Sequence, residues 1–139
     1  MDPEVAEALA GLNAYVPNGT NNYEFFYEFT DWVEALGNPV DIVEPIFRYI
    51  EKYPDADYGA PGPLVHLLES GKAYEAELAA SIARHPTGTA VLMVGRILNS
   101  SLSYERQDYW LKVLDVARTH PIASDFVRDR AARFILKNL

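Results

Sequence analysis

The apolar side chains of this chain recur with the 3.6-residue period of an α-helix over nearly its whole length. No segment alternates apolar and polar residues in the way that a half-buried β-strand does. Prolines and glycines interrupt the helical pattern at short intervals, and short helices are stable only when their apolar faces pack together. The sequence therefore predicts an all-α fold of about seven to eight packed helices.

Residues 22–36 contain the clearest single helix. Its predicted buried stripe consists of Phe25, Phe29, Trp32, Val33 and Leu36. Gly37 and Asn38 are predicted to end this helix, and Asn38 is also predicted to cap the next one. Pro45 lies inside that second helix, where it either bends the axis or marks a late start. Residues 89–99 are apolar almost all round, which places their helix at the centre of the core.

Three amphipathic helices stop at a proline, after Tyr53, His85 and His120, at intervals of 32 and 35 residues. Proline commonly follows a helix end, so a chance arrangement is one interpretation. Each interval holds a two-helix unit, which favours a stack of antiparallel helix pairs of the HEAT or armadillo kind. The predicted single domain covers residues 1–139, with repeat units at 22–53, 60–85 and 89–120 and a terminal helix at 122–139.

Charge and cysteine content exclude several classes of function. The 139 residues include no cysteine, which excludes thiol catalysis, disulfide frameworks and cysteine-bound metals. A net charge of -8 argues against a protein that binds nucleic-acid phosphates directly. The first 60 residues hold twelve acids and two bases, whereas residues 61–139 hold eight acids and ten bases. Such a strongly acidic half predicts attraction to a basic protein partner.

Side chains suited to catalysis are scarce. His85 and His120 follow predicted helix C-termini, where an imidazole interacts favourably with the last carbonyls, so a structural role is predicted for both. Asp55 and Asp57 lack the downstream ligands of a calcium loop, and no phosphate loop or Ser-His-Asp pattern is present. We therefore predict no enzymatic activity, no metal and no cofactor.

No apolar run approaches the ~18 residues that a membrane span requires. The first residues, Met-Asp-Pro-Glu, lack the positive charge that begins a secretory signal. These two observations predict a cytoplasmic protein with no membrane partner.

Acidic and aromatic side chains share the polar face of the helix predicted at residues 22–36. Glu24, Glu28 and Asp31 recur at helical spacing, where like charges repel and an external cation would relieve them. One interpretation is a plain solvated face. The functional interpretation is a surface that accepts Lys and Arg side chains. The predicted partner-binding residues are Tyr23, Glu24, Tyr27, Glu28, Asp31, Glu34, Asp55, Asp57, Tyr58, His66 and Glu69.

Residues 57–66 read Asp-Tyr-Gly-Ala-Pro-Gly-Pro-Leu-Val-His, and residues 84–87 read Arg-His-Pro-Thr. The second stretch is followed by Met93, Arg96, Ile97 and Asn99. These motifs resemble those of a family of small helical bacterial immunity proteins, which are paired with secreted or contact-delivered toxins. The resemblance implies an all-helical cytoplasmic protein without catalysis, in a tight complex with one cognate toxin domain, often a nuclease.

The leading hypothesis is therefore a protein that binds a basic toxin and covers its active site with the acidic face. A helical-repeat scaffold in a larger assembly is a second hypothesis. A hydrolase that uses His66 with Asp57 or Glu69 is a third. For His66, Arg96 and Asn99 there is also a structural interpretation, in which buried hydrogen bonds join neighbouring helices.

Overall fold

The computed structural model describes residues 1–18, 22–71 and 73–139. Within these residues all regular structure is helical, which confirms the all-α prediction. The described residues form eight α-helices, and a 3-10 turn at Val40–Ile42 precedes the third of them. The α-helices are α1 (Pro3–Ala14), α2 (Tyr23–Ala35), α3 (Val43–Lys52), α4 (Pro63–Ser70), α5 (Tyr74–Arg84), α6 (Gly88–Leu98), α7 (Tyr104–Thr119) and α8 (Asp125–Lys137). No helix among the described residues has the length and apolar character needed to cross a bilayer.

The chain forms two compact units, Met1–Glu77 and Leu78–Leu139. Their boundary lies within α5 and therefore inside the repeat unit predicted at residues 60–85. The first unit holds 15 acids and 3 bases, a net charge of -12, whereas the second holds 5 acids and 9 bases, a net charge of +4. The acidic half recognised in the sequence thus corresponds to one folded unit. The single domain over residues 1–139 and its repeat register stay predictions.

The core of the first unit is built around three aromatic rings. Phe26, Tyr49 and Tyr58 are buried, with ring centroids 5.5 to 6.4 Å apart. The Tyr49 hydroxyl donates to the Tyr15 carbonyl at 2.8 Å, and the Tyr58 hydroxyl donates to the Tyr53 carbonyl at 2.7 Å. Burial raises the pKa of Tyr49 and of Tyr58 because the charged phenolate would lose its hydration. Both tyrosine rings therefore pack in the core, and each hydroxyl group has a hydrogen-bond acceptor.

The buried face of α2 includes Phe29 and Val33 of the predicted stripe but is rotated away from Trp32. Its buried residues are Phe26, Phe29, Thr30 and Val33. Phe25 lies at the edge and stacks on Tyr15 at 3.9 Å, while Trp32 is 38% exposed beside Gly11 of α1. The predicted stripe is therefore wrong for Trp32. Residues 25–27 are all aromatic and point to adjacent sides of the helix, so the sequence pattern alone does not show which of the three is buried. Phe26 is buried because its ring packs against the Tyr58 ring.

Gly37 and Asn38 end α2 as predicted, but Asn38 does not cap the next helix. Gly37 has a φ of +87° and donates its N–H to the Glu34 carbonyl, and Asn38 donates its N–H to the Val33 carbonyl. These two bonds form the Schellman pattern of a helix end. The Asn38 side chain donates to Ser70 Oγ at 2.9 Å and so joins this end to α4. The predicted cap at Asn38 is wrong because its backbone, with a φ of +47°, completes the previous helix.

Two prolines lie in the first turns of helices of the first unit. Pro45 lies in the first turn of α3, where its missing N–H has no intrahelical partner, so the predicted late start is confirmed. Pro63 is the first residue of α4, a position that suits its fixed φ. Pro63 therefore marks the first residue of α4, and Pro45 marks the first turn of α3.

In the second unit, α6 is the most buried helix, as its apolar sequence predicts. Its buried residues are Ala90, Val91, Met93, Val94, Gly95, Ile97 and Leu98. Helix α6 packs against α7 and α8, which also pack against each other. Gly95 permits this packing, because a Cβ there would lie 2.6 Å from the Phe134 ring. Thr87 caps α6 by accepting a hydrogen bond from the Ala90 N–H at 3.1 Å.

The structural role predicted for His120 is confirmed by its contacts. Its Nδ1 accepts from the Ile122 N–H at 3.3 Å, so Nε2 carries the proton and donates to the Ala83 carbonyl at 2.9 Å. The Arg128 guanidinium donates to the His120 carbonyl at 2.7 Å. By contrast, His66, Arg96 and Asn99 are exposed, so the buried position that the structural interpretation predicts for them is not observed. Their role in joining neighbouring helices stays a prediction.

Candidate functional site

The acidic row of α2, Glu24, Glu28 and Asp31, lies at the centre of the exposed face of the helix. The three residues occupy positions i, i+4 and i+7, and Phe26 and Val33 point to the opposite, buried side. Among the described residues none of the three carboxylates has a hydrogen bond or an ion pair. Their negative charges therefore face solvent without compensation, and each carboxylate repels its neighbours along the helix.

Aromatic side chains border the acidic row on both sides. Tyr23 and Tyr27 lie on one flank together with Glu34, and Tyr27 is 56% exposed. Trp32 lies on the other flank, next to Glu28 on the helix surface. Sequence reasoning missed Trp32 because its spacing fits the predicted apolar stripe equally well. Large rings beside charged groups provide contact area with a polar edge, which is typical of protein interfaces.

A hydrogen bond joins α2 to the loop of residues 54–62. The Tyr23 hydroxyl donates to Asp57 Oδ1 at 3.0 Å, and the same oxygen accepts the Gly59 N–H at 3.0 Å. This bond raises the pKa of Tyr23, because the carboxylate favours the protonated hydroxyl. Asp57 is therefore held in one position, and the exposed Asp55 lies in the same loop. The structure thus brings together the two segments that the sequence analysis selected separately.

Two glycines give this loop its shape. Gly59 and Gly62 have φ values of +95° and +88°, in the left-handed region that favours glycine. A Cβ on Gly62 would lie 1.7 Å from the Tyr58 carbonyl oxygen, and one on Gly59 would lie 2.6 Å from the Gly62 Cα. The chain therefore reverses direction between Asp57 and α4. In this loop Asp57 lies within hydrogen-bond distance of the Tyr23 hydroxyl.

The predicted contact residues Tyr58, His66 and Glu69 lie outside α2. Tyr58 is only 2% exposed and packs in the aromatic core, so its side chain offers no surface to a partner. His66 is exposed on α4, and Glu69 is half buried on the same helix. Asp57 accepts hydrogen bonds from Tyr23 and Gly59, and the hydrolase hypothesis, in which His66 acts with Asp57 or Glu69, stays a prediction. We leave Tyr58 out of the candidate surface because its ring is buried, and the contact roles of His66 and Glu69 on α4 stay predictions.

We call the retained set the acidic surface. It consists of Glu24, Glu28, Asp31, Glu34, Asp55 and Asp57, with the rings of Tyr23, Tyr27 and Trp32. In the described parts of the chain no group of three or more His, Asp or Glu side chains is placed to hold a metal ion. Comparison of the chain with models of protein families, with curated proteins and with solved structures finds no match.

Proposed function

We propose that this protein is an immunity protein that binds a cognate basic toxin domain, a nuclease, and neutralises it in the cytoplasm by covering its active site. The observation that supports this proposal is the acidic row, in which Glu24, Glu28 and Asp31 are exposed and unpaired among the described residues. Repulsion between the three carboxylates lowers the stability of the helix, and a bound cationic partner would neutralise that repulsion. The resemblance of residues 57–66 to immunity proteins points to the same class of partner.

The chemistry of the acidic surface fits a nuclease in particular. A nuclease holds its substrate with Lys and Arg side chains aimed at phosphates, and carboxylates accept the same donors. Glu24, Glu28 and Asp31 span about two helical turns, so they offer three acceptor groups in a line. Tyr27 and Trp32 supply the apolar contact that an interface of charges alone would lack. The acidic surface therefore attracts the toxin and occupies the site where the toxin would bind its nucleic-acid substrate.

The charge of the whole first unit adds long-range attraction. A net charge of -12 on this unit produces a field that steers a cationic protein toward it before contact. Steering of this kind accelerates association and weakens as salt is added. Fast association suits an inhibitor that must reach its target before the target reaches nucleic acid.

The experiment measures binding to the toxin domain encoded by the adjacent upstream gene, captured first by pull-down with the full chain. Stopped-flow association is then compared for the natural chain and for a triple variant, Glu24→Lys, Glu28→Lys and Asp31→Lys. We expect association to slow by about 10- to 100-fold and its salt dependence to flatten. Nuclease activity should also return in the presence of the triple variant.

A matched control separates local contact from total charge. The variant Glu7→Lys, Asp41→Lys and Glu44→Lys changes the charge of the same unit equally, at exposed acids outside the acidic surface. We expect it to slow association less and to leave inhibition intact. Equal losses in both triple variants would show that the acidic surface is not the contact site. Failure of the natural chain to bind or inhibit the toxin domain would overturn the proposed function.

A further inference from the structure

A basic stripe runs along the exposed side of α8 in the second unit. Arg130, Arg133 and Lys137 follow Phe126 at helical spacing, so the four residues share one side of the helix. Phe126 is 64% exposed, and its ring lies 5.4 Å below the Arg130 guanidinium. The side chain of Arg133 is 78% exposed and pairs with Asp129 at 3.0 Å. Cations and a bare aromatic ring on one helix face indicate a docking surface for an acidic partner.

The spacing of this stripe matches that of the acidic row on α2. Along α2, the exposed residues Glu24, Glu28, Asp31 and Ala35 are separated by steps of four, three and four residues. The residues 126, 130, 133 and 137 of α8 are separated by the same steps. Two helices with equal steps present their side chains at equal heights, so the two stripes can pair along their whole length.

The order of the residues selects an antiparallel pairing. In that orientation Lys137 faces Glu24, Arg133 faces Glu28 and Arg130 faces Asp31. Phe126 then faces Ala35, the one small side chain of the α2 stripe, which leaves room for the ring. The parallel orientation would place Phe126 on Glu24 and Lys137 on Ala35, so it matches only two charges. Antiparallel helices also align their dipoles favourably.

We propose that the basic stripe of α8 docks antiparallel on the acidic row of α2 in a second copy of this chain. The four residues of the α2 stripe are exposed, as are Phe126, Arg133 and Lys137, whereas Arg130 is half-buried. Each stripe is therefore accessible to a neighbouring copy. The contact joins two different surfaces and is heterologous. It does not depend on the proposed toxin, although it uses the same α2 row, so a tightly bound toxin would displace the second copy.

Physical chemistry makes this association weak and sensitive to salt. Exposed ion pairs contribute little individually, and added salt screens them within about 10 Å at 0.1 M. The Arg133 guanidinium has five N–H donors, so it can contact Glu28 of the second copy and keep Asp129. We therefore expect self-association at high protein concentration in low salt.

Sedimentation velocity of the purified full chain provides the first test. We expect the weight-average sedimentation coefficient to rise with protein concentration at about 20 mM NaCl, and the association constant to fall about tenfold or more at 300 mM. A coefficient that is independent of protein concentration at both salt levels would overturn the proposal.

Two charge reversals provide the second test. Glu28→Arg breaks the acidic row and Arg133→Glu breaks the basic stripe, so each variant alone should be monomeric. An equimolar mixture should recover a 1:1 complex, because the stripe of the first variant meets the intact row of the second. Recovery in the mixture is expected only for a heterologous contact between these two helices. Continued association of either single variant, or no recovery in the mixture, would contradict the pairing.

Lys112→Glu is the matched control for Arg133→Glu. The Lys112 side chain is also 78% exposed and also pairs with an aspartate four residues earlier, Asp108, on α7. Lys112→Glu therefore changes the net charge by the same amount as Arg133→Glu and also breaks one local ion pair, but it leaves the basic stripe intact. Glu7→Arg serves in the same way for Glu28→Arg. We expect both controls to self-associate like the natural chain; monomeric controls would assign the effect to total charge and overturn the proposal.

Discussion

Gly62 stands where the backbone leaves no room for a single methyl group. A Cβ there would overlap the Tyr58 carbonyl oxygen at 1.7 Å, and the φ of +88° is unfavourable for any other residue. We expect Gly62→Ala to lower the free energy of unfolding by about 3 kcal/mol, measured by urea denaturation. Gly71→Ala is the control, because its Cβ would meet nothing closer than 3.6 Å at a φ of -87°. Equal losses in both variants would contradict this steric account.

Tyr58 makes stability depend on alkaline pH. Burial raises its pKa in the folded protein, whereas the unfolded residue loses its proton near the ordinary value of 10.0. The unfolded state then binds fewer protons above pH 10, so the free energy of unfolding falls as pH rises further. Below pH 10 this contribution is fully present.

Tyr58→Phe tests this dependence. The variant loses the hydrogen bond to the Tyr53 carbonyl, which costs about 1 kcal/mol at pH 8. It should also lose less stability between pH 8 and pH 10.5 than the natural chain does, in urea titrations at both values. Tyr104→Phe, at an exposed ring, should leave the pH dependence unchanged. A steeper alkaline loss in Tyr58→Phe would refute the assignment.

Tyr58 is a residue whose burial does not follow from its neighbours in the sequence. Asp57, Tyr58 and Gly59 have the composition of a surface turn, and this composition predicts that the Tyr58 ring contacts a partner. The ring is buried because Phe26 and Tyr49, distant along the chain, surround it. Tertiary neighbours of this kind cannot be read from a window of a few residues.

For α2, the sequence predicts where the helix lies along the chain but not how the helix is rotated about its own axis. Proline and glycine mark the start of α4 and the ends of α2, α3 and α4, so these bounds follow closely from local chemistry. Rotation about the helix axis depends on which of Phe25, Phe26 and Tyr27 meets the core. The acidic row was nevertheless located correctly on the exposed face, because charged residues leave the core whichever ring enters it.

Repulsion along α2 should be measurable as lost stability. Glu28 lies four residues after Glu24 and three before Asp31, so Glu28→Gln removes two unfavourable pairs. We expect the free energy of unfolding to rise by about 0.3 kcal/mol in 20 mM NaCl and the gain to vanish in 500 mM. Glu105→Gln on α7 removes an acid from a first helical turn, where it is favourable, and should give no gain. A gain that persists in high salt would rule out charge repulsion.

For the whole molecule, the separation of charge is the dominant electrostatic feature. The first unit carries -12 and the second +4, so repulsion is concentrated in one part of the chain. We expect Tm to rise by about 2–4 °C between 20 and 500 mM NaCl, because salt screens this repulsion. Differential scanning calorimetry measures the shift, and potassium chloride should act equally. A Tm that falls with salt would mean that attractive pairs outweigh repulsion.

The two tryptophans lie one in each unit, Trp32 at the margin of the acidic surface and Trp110 in the core of the second unit. Each unit thus contains its own fluorophore, and the two differ in hydration. A cationic quencher such as caesium, concentrated by the nearby carboxylates, should dim Trp32 selectively. Replacing either indole by phenylalanine leaves a single-probe protein, in which occupation of the acidic surface and unfolding of the second unit can be followed optically without a label.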